Sequence, residues 1–126
     1  MRDEAKKLIE RERKNGKKIG FTSGAFDILH SGHVSYLEEA RKKSDYLVVG
    51  VNSDASIKSY KDPDRPINSE NDRLKVISSL KFVDHAFIFT ETNNNKNITE
   101  LKPDIYFKAG DYSKSSLSSA PLVESF

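Results

Sequence analysis

The amino-acid sequence predicts an α/β fold, a small doubly wound parallel sheet with helices on both faces. Apolar runs typical of strands alternate with segments whose apolar residues recur at helical spacing, which is the pattern of right-handed βαβ units. The clearest run, Leu47 to Val51, contains only apolar residues and glycine and is typical of a central strand covered on both faces. Because the chain has 126 residues and no cysteine, we expect residues 1–126 to form one domain without disulfides.

The first half of the chain is predicted to begin with a helix. Over residues 3–14, Ala5, Leu8 and Ile9 fall on one helical stripe, and Asn15-Gly16 favours termination. Residues 1–16 are therefore interpreted as an N-terminal capping helix. The next elements are predicted as a strand over 18–23, a helix over about 33–43 and a strand over 45–51.

The second half repeats this alternation with shorter elements. Ser69 has the position of a helix N-cap, with Asp72 three residues later, and Pro103 favours the end of a helix. The predicted elements are a short helix over 53–60, a loop over 61–66, a helix after Ser69, a strand over 86–89, a helix over 97–102 and a strand over 104–108. The Ser-rich segment 113–126 is interpreted as a loop-like tail.

Composition excludes several classes of function. The 21 basic and 19 acidic residues are interleaved and leave a net charge of +2, so a clustered nucleic-acid-binding face is not predicted. No run approaches the roughly 20 apolar residues that span a bilayer, so we expect no membrane segment. The charged start of the chain leads into no apolar run, which is unlike a signal peptide. A cytoplasmic protein is expected.

The chemistry is predicted to lie in the segment between the first strand and the next helix. This segment contains His30-Ser31-Gly32-His33, an H-x-G-H pattern at a helix start. The first turn of a helix leaves backbone N–H groups unpaired, and the helix dipole favours anions there. Gly32 removes a side chain that would obstruct an approaching phosphate, and the two imidazoles add N–H donors.

Three interpretations of the histidine pair are open from the residues alone. His30 and His33 could be structural histidines in a polar turn. Asp27, His30 and His33, spaced by three, could bind a metal, although zinc enzymes more often show H-E-x-x-H or cysteine ligands. The third interpretation is phosphate recognition in a site of nucleotidyl transfer.

The motifs resemble those of the H-x-G-H nucleotidyltransferase superfamily, also called cytidylyltransferase-like. The residues that carry the resemblance are Phe21-Thr22-Ser23-Gly24-Ala25-Phe26-Asp27-Ile28-Leu29-His30-Ser31-Gly32-His33. Three further segments are most similar to the D-glycero-β-D-manno-heptose 1-phosphate adenylyltransferases: Val51 to Ser56, Arg65-Pro66-Ile67-Asn68 and Lys108-Ala109-Gly110-Asp111-Tyr112. Two departures are that Ser23 stands where the family commonly has Asn, and Ala25 where it has Cys.

The resemblance implies transfer of a nucleotidyl group from ATP to heptose 1-phosphate, with release of pyrophosphate. It also implies Mg²⁺ as a cofactor that accompanies the nucleotide, with no metal ligands assigned to protein side chains. Implied partners are ATP or CTP and a sugar or polyol phosphate, with a possible homodimer. Two alternatives are a cytidylyltransferase acting on glycerol phosphate and a nucleotide-binding protein with little catalysis.

The candidate site residues fall into three groups. The catalytic candidates are His30, His33, Lys58 and Arg73. The nucleotide-binding candidates are Thr22, Ser23, Gly24, Ala25, Phe26, Gly32, Lys108, Gly110 and Asp111. The acceptor-binding candidates are Asp27, Lys61 and Arg65.

The charged candidates each have a plainer alternative. Lys58 and Lys61 occupy positions where the resembling family has phosphate-binding lysines, but either could be a solvated surface lysine. Arg65 lies in a Pro-flanked loop that could direct its guanidinium at a phosphate. Arg73, in the first turn of its helix, needs an anionic partner against the helix dipole, either a bound phosphate or the neighbouring Glu70 or Asp72.

The resemblance also concerns the end of the chain. After Tyr112 the family continues into a strand and a helix that begins with a Ser-Thr-Thr-like motif and contacts the nucleotide. Residues 113–126 do not reproduce this motif, so we expect the family's C-terminal segment to be missing.

Overall fold

A computed structural model describes residues 2–60 and 64–108, except for the side chain of Tyr60. The elements in chain order are α1 (Arg2–Lys14), β1 (Ile19–Gly24), α2 (Ser31–Lys42), β2 (Tyr46–Asn52), α3 (Asp54–Tyr60), α4 (Glu70–Ser78), β3 (His85–Phe89), α5 (Asn95–Leu101) and β4 (Ile105–Phe107). Four strands form one sheet in the order β3-β2-β1-β4, and every neighbouring pair is parallel. The predicted doubly wound α/β fold is confirmed.

Two apolar layers cover the sheet, one on each face. On one face, Phe21 and Val48 pack with residues of α1 and α5, including Ile9 and Leu101. On the other face, residues of β2 pack with α2 and α4 in a second cluster: Phe26, Leu37, Ala40, Leu47, Val49, Val51, Ile77, Val83 and Ala86. Every residue of β2 is buried, as the apolar run predicts for a central strand.

Aspartates accept hydrogen bonds from backbone amides at the amino ends of the strands. Asp45 accepts a hydrogen bond from the amide of Lys18, Asp84 from that of Leu47, and Asp104 from that of Ile19, each at 2.8 Å. Each of these aspartates lies just before a strand and satisfies an amide at the start of the neighbouring strand. Because unpaired backbone amides are expensive to bury, these three bonds stabilise the amino ends of the strands.

Most predicted elements agree with the structure to within one or two residues. The predicted N-terminal helix is α1, which ends before Gly16, a residue with φ of +79°. Ser69 accepts a hydrogen bond from the amide of Asp72 at 3.2 Å, which confirms the predicted cap. The predicted helix over 97–102 begins two residues earlier, at Asn95. In the described residues, no helix is both long and apolar enough to cross a bilayer.

Candidate active site

The strand order reverses its direction between β1 and β4. The chain runs from β1 outward through β2 to β3, then returns to β4 on the other side of β1. Open α/β sheets bind ligands at such a point, outside the carboxyl ends of the strands. The β1–α2 loop (residues 25–30), the segment 64–69 and the residues before α5 reach this edge.

Phe26 fixes the path of the β1–α2 loop. It has φ of +50°, a left-handed conformation that is uncommon for an aromatic residue, yet its side chain is buried in the core. A side chain at Gly24 would meet the Phe26 ring, since a Cβ built there lies 3.1 Å from it. The ring also contacts His33 edge-on, with the centroids 5.9 Å apart. Buried packing therefore holds the loop in a conformation that the backbone alone would disfavour.

The two histidines of the H-x-G-H turn form a reciprocal cap on α2. Nδ1 of His30 accepts a hydrogen bond from the amide of Gly32 at 3.0 Å, and Nδ1 of His33 accepts one from the amide of His30 at 3.2 Å. A neutral imidazole whose Nδ1 accepts carries its proton on Nε2. Both rings are therefore fixed as Nε2–H tautomers, with their centroids 4.1 Å apart.

This cap corrects one expectation about the helix start. The sequence predicts unpaired amides in the first turn of α2, but the amide of Gly32 is bonded to His30 Nδ1 and that of His33 to the His30 carbonyl at 3.0 Å. These two amides are therefore already paired within the turn.

Asp27 connects the β1–α2 loop to the segment before α4. Its carboxylate accepts hydrogen bonds from the amides of Ile67 (2.9 Å) and Asn68 (2.8 Å), and from Arg65 at 3.1 Å. Burial on its own would raise the pKa of Asp27, but the bonds from Asn68, Ile67 and Arg65 lower it below its ordinary value. The ionised carboxylate of Asp27 therefore connects the β1–α2 loop with the segment 65–68.

The metal interpretation of Asp27, His30 and His33 has no geometric support. The Asp27 carboxylate faces the segment 65–68, whereas Nδ1 of each histidine faces a backbone amide. In residues 2–60 and 64–108, no three histidine, cysteine or acidic side chains are arranged to hold a metal ion.

Arg73 has a different set of partners from those expected. Its side chain is fully buried and pairs with Asp54 at 2.7 Å, where the sequence suggested Glu70, Asp72 or a phosphate. The guanidinium also donates to three backbone carbonyls: Ala25 (2.8 Å), Asn52 (2.6 Å) and Asn68 (3.0 Å). Arg73 thus ties the β1–α2 loop, the end of β2 and the segment before α4 to one another, with its charge compensated by Asp54.

The ends of β1 and β4 carry a polar cluster on the α5 side of the sheet. Nδ2 of Asn94 donates to Ser23 Oγ at 2.6 Å and to the Tyr106 hydroxyl at 3.0 Å. On the α2 side, the hydroxyl of Thr22 donates to the carbonyl of Phe107 at 2.7 Å and lies 3.2 Å from the Tyr36 hydroxyl. These bonds add to the backbone ladder that joins β1 and β4.

The remaining predicted residues are distributed along the same edge. Lys58 is exposed on α3, Arg65 is 42% exposed beside Asp27, and Lys108 is exposed at the end of β4. A half-open cleft of about 300 Å³ separates the β1–α2 loop from α4; its lining includes Phe26, Asp27, Asn68 and Arg73. Lys61, Gly110, Asp111 and the tail 113–126 lie outside the described residues.

Two residues of this edge were missed in the sequence. Asp54 lies two residues after β2, and a carboxylate at the end of a buried strand is a signal that could have identified it. Asn94 is one of three consecutive asparagines, so its local sequence gives no means of choosing it over Asn93 or Asn95.

Known proteins match both the sequence and the fold. The Cytidylyltransferase-like family model matches residues 21–124. The chain is 47% identical over 122 residues to the bifunctional protein HldE of Paramagnetospirillum magneticum, and 50% identical over 111 residues to that of Campylobacter concisus. These matches cover 97% and 88% of this chain but 25% and 24% of the relatives. The chain thus spans about a quarter of the length of the curated relatives it matches.

A solved structure supports the same assignment. The lipopolysaccharide core biosynthesis protein from Thermoplasma volcanium superimposes with a TM-score of 0.67 at 34% identity, covering 86% of this chain and 88% of that one. The family model spans most of the sequence and includes the H-x-G-H turn described above. The chain belongs to the cytidylyltransferase-like family of nucleotidyltransferases.

Proposed function

We propose that this chain transfers the adenylyl group of ATP to heptose 1-phosphate, yielding ADP-heptose and pyrophosphate. The observation that carries the proposal is the H-x-G-H turn, because both imidazoles are fixed as Nε2–H tautomers at the carboxyl end of the sheet. The choice of acceptor is supported by the relatives named HldE and by the similarity to a lipopolysaccharide core biosynthesis protein.

The chemistry needs charge stabilisation more than activation of a nucleophile. A phosphate oxygen of the acceptor attacks the α-phosphorus of ATP. The bond between the α-phosphorus and the oxygen that bridges the α- and β-phosphates breaks. Pyrophosphate leaves with the bonding electron pair. Since the attacking oxygen is already anionic, His30 and His33 act by donating from Nε2 to phosphate oxygens as negative charge builds.

The other candidates act in binding. In this proposal Lys58, Lys61 and Arg65 attract the phosphate groups, and Asp27 serves the acceptor side by holding Arg65 and the segment 65–68 in place. Residues 22–26 with Gly32, and residues 108, 110 and 111, border the nucleotide. We place Arg73 behind the site, as a positioning residue, because its donors already bond to Asp54 and three carbonyls.

Mg²⁺ is proposed to arrive with the nucleotide. In this proposal the phosphate oxygens of the nucleotide carry the ion, so it needs few ligands from protein side chains. When bound, it neutralises phosphate charge during the transfer. The cytoplasm, where ATP is available, is the compartment that fits this proposal.

The decisive experiment is a matrix of nucleotides and acceptors. Pyrophosphate release is measured with Mg²⁺, each of ATP and CTP, and each of heptose 1-phosphate and glycerol 3-phosphate. We expect turnover with ATP and heptose 1-phosphate; turnover with CTP alone would refute the adenylyl assignment, and ATP binding without any turnover would favour a non-catalytic nucleotide-binding protein.

A histidine variant ties that activity to the proposed site. His33→Ala should lower kcat by about 10²–10³, the usual effect of removing one preorganised donor. His85→Gln is a matched control, because His85 is the first residue of β3 and lies at the amino end of the sheet, away from the H-x-G-H turn. Equal activity of His33→Ala and the unmodified protein would remove the proposed role of the H-x-G-H turn.

A further inference from the structure

Asn94 joins two strands through a single amide group. Its Nδ2 atom donates both to Ser23 Oγ, at the end of β1, and to the hydroxyl of Tyr106, in β4. Ser23 is 7% exposed, so its hydroxyl meets Asn94 in a largely buried position. The Tyr106 ring is held in turn by stacking on Phe21, with the centroids 6.1 Å apart.

Asn94 stands at the N-cap of α5 but its side chain does not cap the helix. Asn94 precedes α5 at the N-cap, where asparagine normally accepts a hydrogen bond from an amide of the first turn. Its side chain makes no such bond, and its backbone has φ of −98° and ψ of 7°, outside the extended region typical of caps. The Nδ2 end of the amide is directed at β1 and β4.

Groups behind Asn94 fix its orientation. Its Oδ1 atom accepts a hydrogen bond from Nδ2 of Asn97 at 3.1 Å, and this bond assigns the two ends of the amide. Asn97 is fully buried, and its Oδ1 accepts from Arg2 at 2.8 Å. Arg2 also pairs with Glu91. The chain of contacts therefore runs from α1 through α5 to the carboxyl ends of β1 and β4.

We propose that Asn94 is a positioning residue for nucleotide binding, acting through Ser23 and Tyr106. The inference rests on the proposed function, because it takes the carboxyl ends of β1 and β4 as part of the nucleotide site. The backbone ladder already pairs these two strands, and Asn94 holds the Ser23 hydroxyl at the end of β1 in one orientation. Loss of its amide weakens nucleotide affinity, whereas the acceptor side, held by Asp27 and segment 65–68, is unaffected.

The test compares three variants of the full chain. Asn94→Ala removes the shared donor, and Tyr106→Phe removes one of its acceptors while keeping the ring that stacks on Phe21. Asn95→Ala is the matched control, since it is the same residue type one position later and is exposed. MgATP affinity is measured by calorimetry without acceptor, KM and kcat by pyrophosphate release, and folding by thermal unfolding.

We expect Asn94→Ala to raise the Kd and KM for MgATP about tenfold, an effect comparable in size to the loss of one hydrogen bond, with kcat and the acceptor KM within about twofold. Tyr106→Phe should shift Kd in the same direction by less, and Asn95→Ala should not shift it. A folded Asn94→Ala protein with unchanged MgATP affinity, or with lower kcat and unchanged KM, would overturn the proposal. If Asn94→Ala does not fold, Tyr106→Phe is the test, and an unchanged affinity of Tyr106→Phe for MgATP would also overturn the proposal.

The two hypotheses fail in different ways. If the unmodified protein binds MgATP but releases no pyrophosphate from any acceptor, the proposed function fails, and the affinity comparison still tests Asn94. If the unmodified protein turns over normally and Asn94→Ala binds MgATP equally well, only the role of Asn94 fails.

Discussion

The two ends of the sheet use polar side chains in opposite ways. At the amino end, Asp45, Asp84 and Asp104 each accept a hydrogen bond from the amide of a residue at or next to a strand start. At the carboxyl end, the protonated Nε2 atoms of His30 and His33 are the groups that the proposed chemistry uses, while Nδ1 only holds the turn. At the amino end the side chains pair with backbone amides. At the carboxyl end they both hold the turn and supply N–H donors suited to an anion.

This difference leads to a simple expectation for substitutions. Changes at the amino end should alter the free energy of unfolding without altering turnover by the folded protein. Changes at the carboxyl end should alter turnover, because this end carries the donors that the proposed chemistry uses.

Arg73 is the largest expected exception. Arg73→Ala leaves Asp54 without its cationic partner and three carbonyls without a buried donor, so we expect a loss of about 3–5 kcal/mol in the free energy of unfolding. Urea unfolding measures the loss. Lys75→Ala, an exposed cation in the same helix, is the control and should change stability by less than about 0.5 kcal/mol. An Arg73→Ala protein as stable as this control would show that the buried network is not needed for the fold.

The partner of Arg73 also shows where sequence reasoning stops. An unbroken apolar run identifies β2 because burial on both faces is a local property of the sequence. The H-x-G-H turn is equally local, and its place at a strand–helix junction was predictable. Arg73, however, pairs with an aspartate 19 residues away and not with the acids beside it. That choice depends on how α4 packs against the end of β2, which periodicity does not specify.

The same reasoning applies to Asn94. Three consecutive asparagines are equivalent in sequence, and only the fold brings the middle one between Ser23 and Tyr106. The aspartates before the strands are recognisable as residues that favour turns, but the amides they satisfy belong to neighbouring strands. In each case the sequence shows the residue type, but its hydrogen-bond partner can be identified only from the topology of the sheet.

His30 separates structural from chemical contributions within one side chain. His30→Asn keeps a side-chain acceptor for the Gly32 amide, since asparagine is a good N-cap, but removes the Nε2–H donor. We expect kcat to fall by about 10²–10³ with little change in stability. His30→Ala should lose the same activity and in addition about 1 kcal/mol of stability. Full activity in a folded His30→Asn protein would contradict the role assigned to the imidazole.

Asp84 tests the amino end. Asp84→Ala removes the acceptor for the amide of buried Leu47 and the partner of Arg41 Nε at 2.9 Å, so unfolding should become easier by about 1–3 kcal/mol. The KM and kcat of the folded protein should match those of the unmodified chain. Asp3→Ala, an exposed carboxylate in the first turn of α1, is the comparison for loss of charge alone. A drop in kcat at full folding would mean that the two ends of the sheet are coupled.

His85 gives the smallest expected effect and a dependence on pH. It begins β3 at the amino end, where its Nε2 is buried, has no hydrogen bond to any described residue and lies 3.9 Å from Glu4. Burial lowers the pKa of His85 below its ordinary value of 6.5, despite the opposing influence of Glu4. As pH falls through that ordinary value, the unfolded chain takes up a proton that the folded chain does not, so folding loses stability until the lowered pKa is reached. His85→Leu removes this titration, and its urea midpoint should fall less between pH 8 and pH 5 than that of the unmodified protein. Identical falls would mean that His85 takes up its proton as readily in the fold as in the unfolded chain.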